Sequence, residues 1–204
     1  SGRTFQSSNG SFTYAGGSIA GRGTFALANA LADLAVPLAP DSLDFSFSAT
    51  TVGGVGGLAL AAGRQMALRA TTVATPLQNA GLIHAITGSS ITAALTTTAG
   101  SMIRIASNGE SGASSLTVDS GFTNNGSIEL TATVNTYSST LTIGSGTLVN
   151  AAGGSIASLS GSGGSRGISG SLTNQGLLLI DAPLTFSLAD DTLTNSGSLS
   201  LGGG

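Results

Sequence analysis

The chain is predicted to be all-β: a right-handed parallel β-helix, or β-solenoid, of about nine coils of 21–26 residues, most simply three-sided. Three observations predict it. A unit reading Leu-Thr-Asn-x-Gly, followed by an apolar strand, recurs along the sequence. Apolar and small polar residues alternate with period two, the mark of a half-buried strand. And 40% of residues are hydrophobic while only 7% are charged, which is the reverse of a disordered chain.

The first 74 residues repeat loosely. "YAGGSIAG" (14–21) matches the Gly-Gly-Ser-Ile of residues 153–156, and "GGLALAA" (56–62) is another row. Between them, "FALANALADLAV" (25–36) is ambiguous. Leu27, Leu31 and Leu34 have helical spacing, while "GRGTFAL" just before reads as strand. Strands are favoured, with a short helix covering one end of the stack as the alternative; Pro37 and Pro40 would end any helix soon after.

From residue 75 the repeat is clear. Its rows are "LQNAGLIHA", "FTNNGSIEL", "LVNAAGGSIAS", "LTNQGLLLI" and "LTNSGSLSL". They align Asn79, Asn124, Asn150, Asn174 and Asn195, and in four of the five rows Gly81, Gly126, Gly176 and Gly197. The asparagine separations are 45, 26, 24 and 21 residues. The first gap spans two periods, and "AGSMIRI" (99–105) fills its middle with the Gly kept and the Asn lost. Between rows stands a second strand type: "SLTVDS" (115–120), "TLTIGS" (140–145) and "PLTFSL" (183–188).

A unit this short cannot bury its own apolar face, so like units stack. Each strand then pairs in parallel with its counterpart about 4.8 Å away, and each buried Leu, Ile or Val contributes about 1.5–3 kcal/mol. The Asn-x-Gly element reads as one corner of each coil. There Gly is expected to adopt left-handed backbone angles, and the Asn amides to bond one another as a ladder. The alternative is a hairpin turn in an antiparallel sheet.

The run from "SLTVDSGFTNNGSIEL" through "GTLVNAAGGSIAS" to "SLTNQGLLLI" resembles the imperfect repeats of bacterial secreted β-solenoid proteins, such as autotransporter passengers and filamentous-haemagglutinin-like adhesins. The resemblance covers residues 75–204 well and 1–74 loosely. It implies a right-handed parallel β-helix, a cell-surface or secreted location and a single solenoid domain over 1–204. It carries over no catalytic residue.

Composition narrows the function classes. The net charge is −3, lysine is absent and the six arginines (Arg3, Arg22, Arg64, Arg69, Arg104 and Arg166) are scattered, which argues against nucleic acid as a partner. No apolar run is long enough for a membrane span, and "SGRTFQSSNG" does not read as a signal peptide. Cysteine is absent, so stability is expected from repeated packing, as in a bacterial protein, cytosolic or exported.

Motifs for chemistry are sparse, and no enzymatic activity, cofactor or metal is expected. Carbohydrate-cleaving sites need two carboxyls at a set separation. Glu129 and Asp181 lie two coils apart, and Asp190 and Asp191 are adjacent, so in a strand they face opposite ways. His84, the one histidine, is expected outward and without ligand partners. "GSGGSRGISG" (161–170) lacks the Lys and Ser/Thr of a phosphate loop and reads as a flexible corner insertion with Arg166 exposed. A column of Thr123, Thr173 and Thr194, interrupted by Val149 and with no second column beside it, raises an ice-binding reading.

The expected role is structural: a fibre or sheath subunit stacking end to end, or an adhesin stalk segment. The expected partners are further copies of the chain at open solenoid ends, or continuation into a longer chain, with surface glycans as a further partner. Glycan binding or cleavage is the main alternative.

Overall fold

The computed structural model describes residues 2–134 and 136–202. These residues form 22 strands and no helix. Every strand-to-strand pairing is parallel, and the strands fall into three stacks, so each coil has three sides.

The first face stacks ten strands: β1 (Arg3–Tyr14), β2 (Gly23–Leu34), β3 (Leu43–Ser48), β6 (Gln65–Arg69), β9 (Leu82–Ala85), β12 (Met102–Ser107), β15 (Ser127–Ala132), β17 (Ser155–Ser158), β19 (Leu177–Ile180) and β22 (Ser198–Leu201). The second face takes the later halves of β1 and β2, then β4 (Thr51–Gly53), β7 (Thr72–Val73), β10 (Ser89–Ile91), β13 (Ser114–Val118) and β20 (Leu184–Ser187). It also takes the first halves of β16 (Ser139–Asn150) and β18 (Arg166–Asn174). The third face holds β5 (Leu58–Leu60), β8 (Leu77–Asn79), β11 (Leu95–Thr97), β14 (Thr123–Asn124), the ends of β16 and β18, and β21 (Leu193–Asn195).

Like residues lie over like. One unbroken inward column on the first face runs Phe5, Phe25, Phe45, Met66, Ile83, Ile103, Ile128, Ile156, Leu178 and Leu199. A single hydrophobic cluster extends from Phe25 to Leu178. The early coils are filled by aromatic rings: Phe5 stacks on Phe25 at 5.3 Å, and Phe45 lies 5.6 Å from Phe47. Such pairs add about 0.5–1.5 kcal/mol beyond their burial.

The coils vary more than the predicted 21–26 residues. Steps along that column range from 17 residues, Met66 to Ile83, to 28, Ile128 to Ile156. The difference lies mainly at the corner between the first and second faces. In the first four coils one residue makes that corner, and it has positive φ: Asn9 (59°), Asn29 (50°), Ala49 (47°) and Ala70 (47°). In later coils a loop of several residues replaces it, such as 108–113 between β12 and β13.

This corner settles residues 25–36, which form no helix: 25–34 belong to β2 and 35–36 to the bend that follows. Phe25 and Leu27 point inward on the first face. Asn29 takes up one residue at the corner, and Ala30, Ala32 and Leu34 then point inward on the second. The switch of phase from odd to even positions is what imitates a helical period, and it leaves Leu31 64% exposed. The match of "YAGGSIAG" to residues 153–156 does not hold. The residue in register with Ile156 is Phe5 or Phe25, and 15–22 form no strand.

Alanine is a poor choice for a left-handed corner, because its Cβ crowds the carbonyl. Ala49 and Ala70 are exposed and follow two asparagines in the same column, so Asn fits both. Ala49→Asn and Ala70→Asn are each expected to raise stability by about 0.5–1 kcal/mol. Higher urea midpoints, roughly additive in the double variant, would check this.

Candidate functional site

The third face leads into the first through the Asn-x-Gly corner, and the structure brings four of the five predicted asparagines into one column. Asn124, Asn150, Asn174 and Asn195 are in direct register. Each Nδ2 donates to the Oδ1 of the next: Asn124 to Asn150 at 2.8 Å, Asn150 to Asn174 at 2.7 Å, Asn174 to Asn195 at 2.7 Å. Each of the first three also donates to a carbonyl opening the first-face strand of the next coil, Ser155, Leu177 and Ser198 respectively, at 3.1 Å. The ladder therefore ties coil to coil and side to side. Asn124, Asn150 and Asn174 are buried, where hydrogen bonds of this kind are worth most and cost most to lose.

Asn79 stands apart. The residue paired with it in the next coil is Thr97, which replaces the lost asparagine. Thr97 Oγ1 donates to the Thr123 carbonyl at 2.8 Å and accepts from the Asn125 amide at 2.8 Å, so a hydroxyl carries the link across that step. Asn79 still donates to the Met102 carbonyl of the following coil at 3.2 Å. With no asparagine before it, Asn124 Oδ1 is buried without a partner.

The glycines hold their places for a reason other than the predicted one. Gly81, Gly126, Gly176 and Gly197 do not have positive φ. A Cβ on any of them would instead run into a carbonyl of the previous coil: Arg64, Ser101, Gly154 and Gly176 respectively. In the Asn150 row this position belongs to Gly154, which the repeat did not single out. Close stacking of corner on corner excludes a side chain here.

Arg166 is buried rather than exposed, and only residues 159–165 form the loop. It begins β18 and turns its guanidinium back under that loop. Nη1 donates to the Gly163 and Gly164 carbonyls at 2.9 and 2.8 Å, and Nη2 to Leu159 at 2.8 Å. Burial lowers its pKa. It is a clip for the loop, held by backbone carbonyls at both terminal nitrogens, while its Nε is buried without a partner. "Gly-Ser-Gly-Gly-Ser-Arg" hid a strand because its inward residue is this arginine.

The acids singled out in the sequence are held apart or engaged by neighbours. Glu129 is held by Arg104 of the previous coil, with Nε and Nη2 both 2.8 Å from Oε2. Asp191 accepts from Ser171 Oγ at 2.8 Å. Glu129 is in register with Leu179 two coils on, with Asp181 two residues further. That is about 10 Å along the axis plus about 7 Å along the strand, beyond the reach of a carboxyl pair. No group of three or more metal-ligating side chains exists among the described residues.

His84 faces outward, between Ala67 and Arg104 in register, and is half-buried. Burial first, then Arg104 and Arg69, push its pKa below the ordinary 6.5. Its folded pKa is thus depressed below its unfolded one. Between the two, the unfolded chain binds the extra proton, so stability falls as pH drops through 6.5. Urea midpoints measured from pH 7 down to about 5.5 are expected to decline, and His84→Gln to flatten that decline.

The threonine column is as predicted, with Val149 between Thr123 and Thr173. A pair of hydroxyl columns does exist, but on the second face: Ser115, Thr140, Gly167 and Thr185 beside Thr117, Thr142, Ser169 and Ser187. Only the rung of β16 carries threonine in both.

No family profile, curated protein or solved structure matches this chain.

Proposed function

We propose that this protein is a structural rod: a non-enzymatic β-solenoid of the bacterial cell surface or extracellular matrix, serving as a fibre or sheath subunit or as a stalk segment of an adhesin. The observation that carries the reading is the unbroken ten-strand register of the first face. A stack of this kind gains stability with every added coil and spends its sequence on repeating contacts. Its side chains are small and its charge low, so little repulsion opposes lateral or axial association.

The last coil presents the surface that, in each earlier coil, the following coil covers. Leu193, Leu199 and Leu201 are exposed there, and Asn195 Nδ2 has only the Gly197 carbonyl of its own corner, at 3.4 Å. Another coil of the same pattern, from a second copy or from further chain, would cover these leucines and accept that donor. Electron microscopy of the purified chain at high concentration tests the fibre form. Threads much longer than one molecule are expected, and dispersed short rods would refute self-stacking.

A further inference from the structure

The charges are not scattered once the chain is wound. Arg166 is buried. The other five arginines, Arg3, Arg22, Arg64, Arg69 and Arg104, all lie on first-face strands or the turn leading into them, within the coils from β1 to β12. Asp41, Asp44 and Glu129 oppose them there or on the next strand, Glu110 stands in the corner loop whose Ser111 accepts from Arg69, and the remaining five acids lie elsewhere. A chain with a net charge of −3 therefore carries one face of net positive charge.

Two open depressions mark this face. One, of about 410 Å³, is lined by Arg3 and Arg22 beside Phe5 and Ile19. The other, of about 480 Å³, is lined by Arg64 and Arg104 with Asp44, and floored by the aliphatic Leu82 and Met102. Arg22, Arg64 and Arg104 belong to the second, fourth and sixth strands of the stack, two coils apart along the axis, with Arg64 one residue and Arg104 four residues further along the strand than Arg22, so they form an oblique row across the face. That is a rise of about 10 Å per step, close to the length of one disaccharide in an extended glycan. Arg64 and Arg69 make no ion pair among the described residues.

We propose that this face binds an acidic polysaccharide, a uronate-bearing chain lying along the solenoid axis. Guanidinium groups recognise carboxylates through paired donors. The aliphatic floor suits the apolar face of a sugar ring, and Asp44 and Gln65 offer polar groups to its hydroxyls. Single-stranded nucleic acid, the other extended polyanion, is bound by aromatic stacking platforms. Phe5 is the one exposed aromatic here, at the first coil; none lines the depression at Arg64 and Arg104, Tyr14 lies on the second face and Tyr137 in a corner loop. The inference does not depend on the rod being a fibre.

His84 is the reporter. It is the one histidine, it stands between Ala67 and Arg104, and Arg69 and Arg104 both face it. A bound carboxylate would neutralise those arginines and raise the pH at which its imidazole titrates. The test is an NMR titration of the full chain with oligogalacturonate at low salt, against a neutral maltooligosaccharide of equal length, inorganic sulfate and a single-stranded oligonucleotide. The uronate oligomer is expected to bind and shift the His84 titration upward. Salt should weaken it, and Arg22→Gln/Arg64→Gln/Arg69→Gln should weaken it roughly tenfold or more while leaving the unfolding midpoint in place. No response of His84, equal binding by the triple variant, or an equal effect of sulfate or the neutral oligosaccharide would overturn the proposal. Tighter binding of the oligonucleotide would overturn it in favour of nucleic acid.

Discussion

Gly176→Ala is expected to cost about 3 kcal/mol or more, although it adds a single methyl group at a position where the backbone angles are ordinary. The added Cβ would meet the Gly154 and Ala151 carbonyl oxygens of the previous coil, and it would stand 3.0 Å from Asn150 Nδ2. Backbone cannot give way as a side chain can, so the corners must separate. Overpacking of this kind costs about 1–3 kcal/mol and more where backbone must move. In a chain of this length that lowers the melting temperature by roughly 6–12 °C. Gly153→Ala is the internal control. It sits in a neighbouring corner, has no positive φ, and its Cβ would meet nothing within 4 Å. It is expected to be neutral within about 0.5 kcal/mol. Thermal melts of the two variants distinguish a stacking requirement from a conformational one, because a glycine needed for flexibility would make both substitutions harmful.

Asn150→Leu is expected to be at least as damaging, at about 3–4 kcal/mol. The substitution conserves volume and removes the middle of the ladder. Asn150 Nδ2 donates to Asn174 Oδ1 and to the Leu177 carbonyl, and Oδ1 accepts from Asn124. Each buried partner left unsatisfied costs about 1–3 kcal/mol. Asn195→Leu is expected to cost far less, because Asn195 is exposed and donates only within its own corner. Amide hydrogen exchange would show where the loss falls. The coils on either side of residue 150 are coupled through that amide, so protection should drop from β17 onward in Asn150→Leu and hold in Asn195→Leu.

Much of the architecture was legible because stacking imposes like upon like. The rows at Asn124, Asn150, Asn174 and Asn195 align in the sequence as they do in space. The strand types at 115–120, 140–145 and 183–188 all belong to the second face. Where a position was filled by an unlike residue of like function, the repeat fell silent. Thr97 holds the asparagine position with a hydroxyl, and Arg166 holds an inward position with a buried guanidinium. Residues 25–36 misled for the opposite reason, since a one-residue corner at Asn29 shifts the phase of a regular alternation.

The charged face was not legible at all. Arg22, Arg64 and Arg104 are separated by about forty residues each, which has no meaning until two coils of about twenty are counted between them. Their convergence depends on the exact number of residues in each coil, and that number varies from 17 to 28. A periodicity argument finds residues that share a register position and passes over those that share only a face.

The amides of Asn124, Asn150 and Asn174 all point their hydrogens the same way along the stack. Their dipoles add rather than cancel, and each polarises the next. The ladder thus has a sense of direction: it ends on an N–H donor at Asn195 and begins on an unpartnered oxygen at Asn124, inside the stack. Two such molecules meeting through the Asn195 end would set donor against donor. A further coil that offers an oxygen over Asn195 would continue that sense of direction.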